Sequence, residues 1–171
     1  NITGEADYLA SKAAYDAHAK TAKDYIRDYL DVLPEAAENV QLTDEEKITA
    51  ARNFYKTGLT KIEQGFVAKE QLNKLTACEK QLKKVQAQDK KDRAAAEKVV
   101  KQIFKLPDAA NGEEVTKKHA SAIKSARKAY DALASNAAAM AYVQSISQQE
   151  PYNQDALTYL KACEAALKAL G

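Results

Sequence analysis

The chain has no tryptophan, and only five glycines and three prolines in 171 residues. So little turn material allows few connections, and the elements between them are expected to be long. The two histidines, His18 and His119, stand alone in the sequence, and no ligand spacing suits a metal ion. There is no Gly-rich phosphate loop, no H-E-x-x-H and no Ser-His-Asp set, so neither catalysis nor a cofactor has support. No run approaches the ~18 apolar residues that cross a bilayer, so no membrane insertion is expected. An excess of charge of one sign is missing too. With 26 basic and 24 acidic residues interleaved, the net charge of +2 leaves no electrostatic footprint for nucleic acid. The densest basic stretch, Lys80 to Arg93, is interrupted by Asp89 and Asp92 and reads as a solvated helix face. Without tryptophan, a platform for stacking sugars ranks last among the binding classes.

What is abundant is alanine, lysine, glutamate, glutamine and leucine, a helix-forming composition that predicts an all-α fold. The chain begins at Asn1 and its only methionine is Met140, so it is expected to be a processed or excised piece of a longer protein, monomeric as it stands. Asn1-Ile2-Thr3 fits a glycosylation acceptor, a short pattern without meaning in a bacterial source.

The order within this composition is a duplication. Leu75-Thr76-Ala77-Cys78-Glu79-Lys80-Gln81-Leu82 returns as Leu160-Lys161-Ala162-Cys163-Glu164-Ala165-Ala166-Leu167. Upstream, Ile48-x-x-Ala51-Arg52-x-x-Tyr55 returns as Ile123-x-x-Ala126-Arg127-x-x-Tyr130, and Leu33-Pro34-Glu35-Ala36-Ala37 returns as Leu106-Pro107-Asp108-Ala109-Ala110. Three blocks in one order indicate two copies of a supersecondary unit. The predicted architecture is two tandem three-helix bundles, residues 1–87 and 88–171, sharing a long connecting helix in the manner of spectrin. Cys78 and Cys163 occupy one repeat position, and each is read as a small buried residue of its own bundle rather than half of a disulfide.

Along the first copy, Tyr8, Tyr15, Ala22 and Tyr29 recur every seventh residue, with Ala19, Ile26 and Leu33 between them. They predict a helix over 5–33 that ends at Pro34, with the off-series Tyr25 exposed. Thr43 and Glu46 have the spacing of a capping box, opening a helix whose core face is Ile48, Ala51, Tyr55, Leu59 and Ile62, and which Gly65 ends. A third helix is expected from about 68 to 105. Its Val99, Ile103 and Leu106 repeat the spacing of Ile26, Leu30 and Leu33 and open the second copy. There Ile123, Ala126, Tyr130 and Leu133 line a helix read as continuing through the 137–141 alanine run to Val143. Val67 and Leu75 are eight residues apart, whereas Val143 and Leu160 are seventeen apart, so the second copy has gained nine residues around 145–154.

The run Ala122-Ile123-Lys124-Ser125-Ala126-Arg127-Lys128-Ala129-Tyr130-Asp131-Ala132-Leu133, followed by an A-x-E-x-x-L helix, resembles the helical repeats of large surface and secreted proteins of Gram-positive gut bacteria. Copy two matches that pattern over about 123–167. Copy one keeps Ala51-Arg52 and Tyr55 but has Lys56-Thr57-Gly58 in place of Asp-x-Leu, and both copies have cysteine where alanine is usual. A shorter stretch, Ala141-Tyr142-Val143-Gln144-Ser145-Ile146, then Pro151, Leu157 and Leu160, is similar to the second-to-third-helix segment of the immunoglobulin-binding domains of staphylococcal protein A. These resemblances imply an extracellular, cell-surface or cell-wall module of a Gram-positive bacterium. Its expected role is non-enzymatic binding of a host protein such as immunoglobulin; the alternative is a semi-rigid spacer between domains of an adhesin or glycosidase.

Two sets of residues stand out as candidates. Tyr142, Gln144, Ser145, Gln148, Gln149 and Tyr152 belong to the segment that breaks repeat symmetry, read either as a protein-contact site or as a lengthened loop. Arg52 with Glu79 and Arg127 with Glu164 recur together, read as salt bridges that set helix register, with an anion contact as the other reading.

Overall fold

The computed structural model describes residues 2–171; Asn1, and with it the acceptor asparagine of the glycosylation pattern, lies outside the described residues. The described chain is all-helical. Seven α-helices follow in order: α1 (Ile2–Tyr25), α2 (Glu45–Asn53), α3 (Lys61–Gly65), α4 (Lys69–Ile103), α5 (Ala120–Leu133), α6 (Ala137–Ser147) and α7 (Ala156–Ala169). No helix among the described residues is long and apolar enough to cross a membrane. The chain divides into two compact units after Gln86, so the first part of α4 belongs to unit one and the rest to unit two.

In unit one the core is built from Tyr25, Leu30, Leu33, Val40, Ile48, Ala51, Leu59, Val67, Leu75, Cys78 and Leu82. The seven-residue series supplies it only in part, through Ala22, which is buried, and Tyr29, which packs against it. Tyr8 and Tyr15 are 65% and 60% exposed, while Tyr25, expected outside, is 1% exposed. Its hydroxyl donates to the Ala51 carbonyl at 2.9 Å, which satisfies the one polar atom of a large buried ring. Burial pushes that phenol up to about 12. The reason lies just after Tyr25. Residues Ile26–Leu30 form a π turn, closed by the Asp31 amide on the Ile26 carbonyl at 2.9 Å. Such a turn holds one residue more than an α turn and shifts the phase of everything before it. Tyr25 therefore takes the core position that Val99 holds in unit two, whereas Leu30 answers Ile103.

A second π turn, Phe54–Gly58, follows α2. It falls on Lys56-Thr57-Gly58, the residues where copy one leaves the repeat pattern. The helix expected to run on to Gly65 instead breaks there. Thr60 restarts it with a capping box: its hydroxyl accepts from the Glu63 amide, and the Glu63 carboxylate accepts from the Thr60 amide. The break turns Ile62 outward, 59% exposed, and Glu63 inward, where it meets His18 at 3.0 Å. The Thr43–Glu46 box expected at the start of α2 is not used. A 3₁₀ turn, Leu42–Asp44, precedes the helix, and Asp44 accepts from the Gln41 amide.

In unit two the core is Ala96, Val99, Val100, Ile103, Leu106, Val115, Ile123, Ala126, Val143, Ala156, Tyr159, Leu160 and Cys163. Tyr159 mirrors the solution used by Tyr25, donating to the Leu106 carbonyl at 2.7 Å. The expected helix through the alanine run is two helices. Asn136 caps α6 by accepting from the Ala139 amide at 3.0 Å, a bond that outweighs the helix propensity of the flanking alanines. Cys78 and Cys163 are unbridged and fully buried, each in its own unit's core, and burial pushes both thiols up.

Gly58 closes the second π turn under an aromatic stack. A Cβ there would sit 2.8 Å from Cγ of Phe54, whose ring is held against Tyr29 at 4.7 Å and Tyr25 at 5.8 Å. Gly58→Ala is therefore expected to lower the unfolding free energy by about 1–3 kcal/mol, read by urea titration of far-UV dichroism. An unchanged midpoint would show that the stack yields.

Candidate functional site

The repeated A-R-x-x-Y strip has one geometry in both units. Ala51 and Ala126 are fully buried, which lets the helix approach its neighbour closely. The next residue in each strip carries the charge: Arg52 donates to Glu79 through Nε at 2.7 Å and Nη2 at 2.8 Å; Arg127 donates to Glu164 through the same two atoms, both at 2.7 Å. Each guanidinium also lies over the tyrosine of its own strip, 6.0 Å from the Tyr55 centroid and 5.7 Å from that of Tyr130. Thr76 accepts a further bond from Arg52. With both charged partners engaged side-on in a bidentate fork, the arginine has little left to offer a free anion.

The six residues of the symmetry-breaking segment are not one surface. Tyr142 on α6 turns inward, donating its hydroxyl to Asp89 of α4 at 2.8 Å, with the Arg93 guanidinium 5.9 Å from its ring. The Asp89 carboxylate holds the phenol proton and raises its pKa. Tyr152 stacks on Phe104, 4.5 Å between centroids, and Phe104 packs in turn on Tyr159. Gln144, Ser145, Gln148 and Gln149 are exposed and, with Ala141, line a shallow depression of about 470 Å³ on the outer face of α6.

The inserted segment is tightly tied. Ser147 is fully buried with its hydroxyl on the Gln144 carbonyl. The Gln154 amide donates to the Ser147 carbonyl at 3.0 Å, and its side chain reaches Asp108 at 3.1 Å. Asn153 takes the left-handed φ of +50° that closes the turn, a conformation asparagine tolerates. Asp155 then caps α7, accepting from the Thr158 amide at 2.7 Å.

Two residues that sequence reasoning missed position α6. Asp92, buried in α4, accepts from Gln88 and from the Asn136 side chain at 2.8 and 2.9 Å. Asn136 thus caps α6 and anchors it at once. The signal was an aspartate at a core position of a heptad helix, which needs a buried partner. Among the described residues, no group of three His, Cys, Asp or Glu side chains is placed to hold a metal ion. Compared with family models, curated proteins and solved structures, the chain matches none.

Two outcomes follow from this geometry. Tyr152→Ala is expected to lower the stability of unit two by about 2 kcal/mol, through the lost ring contacts. Gln144→Ala and Gln148→Ala should each shift it by less than about 0.5 kcal/mol in the same urea titration. The ion pair adds a pH signature. Arg127's hydrogen bonds hold the Glu164 carboxyl below its ordinary 4.5. A carboxyl whose folded pKa is depressed stabilises above its unfolded pKa and loses that contribution as pH falls through the folded value. Arg127→Met should therefore cost about 1 kcal/mol at neutral pH. That difference from the parent chain should shrink as the pH drops below 4.5. A difference that stays constant with pH would assign the cost to packing.

Proposed function

We propose that this chain is a non-enzymatic module of a Gram-positive cell surface that binds a host protein, immunoglobulin being the first to test, through the exposed face of α6. The observation that carries this reading is the division of labour on that helix. Tyr142, Asn136 and Val143 fix one side of it to unit two, and the opposite side presents Gln144 and Ser145, continued just past the helix end by Gln148 and Gln149, all uncharged and exposed. A rigid helix that displays adaptable hydrogen-bonding groups loses little entropy on docking. The similarity of the stretch from Ala141 to Leu160 to immunoglobulin-binding three-helix domains supports the same face. So does its position, where the second copy departs from the first.

In this reading the units are two tandem three-helix bundles that share α4. A second role, as a spacer between domains of a larger surface protein, is supported by the repeated arginine–glutamate fork, which sets helix register alike in both units. The two roles separate by experiment. Immobilised chain is expected to retain immunoglobulin or another defined protein from serum. Gln144→Lys with Gln148→Lys should weaken retention at least tenfold while leaving the urea midpoint in place. No specific retention by the parent chain would leave the spacer reading standing alone.

A further inference from the structure

The first half of α1 carries a pattern that the structure explains only by comparison with α4. Along α4, Leu75, Cys78, Leu82, Val85, Asp89, Asp92, Ala96, Val99 and Ile103 alternate three and four residues apart in one continuous seam. The part up to Leu82 serves the core of unit one, and the part from Asp92 serves that of unit two. Allowing for the one residue absorbed by the π turn at Ile26–Leu30, α1 has the same seam: Gly4, Tyr8, Ser11, Tyr15, His18, Ala22 and Tyr25.

The lower part of this seam behaves as it does in α4. Ala22 and Tyr25 are buried where Ala96 and Val99 are. His18 binds Glu63 where Asp92 binds Asn136, and Tyr15 meets Phe66 edge-on at 5.0 Å where Asp89 meets Tyr142. The upper part then matches the end of the repeated L-x-A-C-E-x-x-L block. Gly4 stands for the small buried Cys78, Glu5 for the arginine-binding Glu79, and Tyr8 for the buried Leu82. Yet Gly4, Glu5 and Tyr8 are all exposed, as is Leu9 beside them.

We infer that the Gly4–Glu5–Tyr8 face of α1 is the third-helix end of a further repeat, and that its occupant is a helix pair of the same repeat type. That pair would present an A-R-x-x-Y strip like those of α2 and α5, and its arginine would close the fork on Glu5. The face suits that occupant chemically. A small residue permits close helix approach, a carboxylate sits at the guanidinium position, and an apolar ring sits one turn on.

The test adds residues 1–74 of this chain ahead of Asn1, so that Lys74 joins Asn1 in the register where Lys74 otherwise joins Leu75. Hydrogen exchange is followed by mass spectrometry over residues 4–17. In the parent chain these amides are expected to exchange quickly. In the fusion they should slow at least tenfold, and Glu5→Gln in the original chain, or Arg52→Met in the added copy, should remove much of that gain. A control with two alanines inserted at the junction turns the face through ~200° relative to the added copy and should give no protection. Equal protection with and without the two alanines, or none in either, overturns the inference. So does self-association of the parent chain that protects residues 4–17, because the occupant would then be another whole chain. None of these readings depends on whether α6 retains a host protein.

Discussion

The arginine–glutamate fork sets the register on which both units are built. In each, a fully buried alanine brings one helix close to its neighbour, and the adjacent arginine locks the sliding coordinate with two hydrogen bonds to one carboxylate. The pairs are partly exposed, so their net worth is modest beside the apolar core. Their role is geometric. Alanine-rich seams are smooth and would pack at several offsets with similar area. A planar fork tolerates one offset, and a slip of one turn would leave both charges unpaired at the edge of the bundle.

How much of this was legible in the sequence differs from one residue to the next. The forks could be read because Arg52, Glu79, Arg127 and Glu164 recur at matched positions, and recurrence in a duplicated unit marks what the unit needs. The helix ends could not be read as well. The break at Gly58–Thr60 combines a glycine-closed π turn with the Thr60 cap, and that at Ala134–Asn136 is decided by a single cap, Asn136, within a run of alanines. The burial of Tyr25 in place of Ile26 was hidden by the π turn, which no residue pattern announces. Heptad counting carried across that turn puts Ile26 in the core position that Tyr25 takes, whereas Tyr8 and Tyr15 share the seam of Ala22 and are exposed because no helix of the described chain covers that end of α1.

The symmetry-breaking segment shows a similar limit. Its composition singled out six residues together, yet the structure sorts them by aromaticity. The two tyrosines have enough apolar area to be drawn into unit two, against Arg93 and Phe104, and the glutamines do not. The proposed contact surface is thus the remainder left once packing has taken what it can use. The loop itself is held by Ser147, Gln154 and Asp108, so the surface is presented on a fixed frame rather than a mobile strand.

The π turn at Ile26–Leu30 has a consequence for how such a chain tolerates change. A single-residue insertion in a helix ordinarily rotates every side chain on one side of it by about 100°, which would empty a core. Here the extra residue is confined to one widened turn, closed by the Asp31 amide, and the seam resumes in phase on both sides. The turn works as a vernier between two copies of different length. Diverging repeats can gain a residue inside a helix, keep their seam, and leave the change visible only where the backbone bulges.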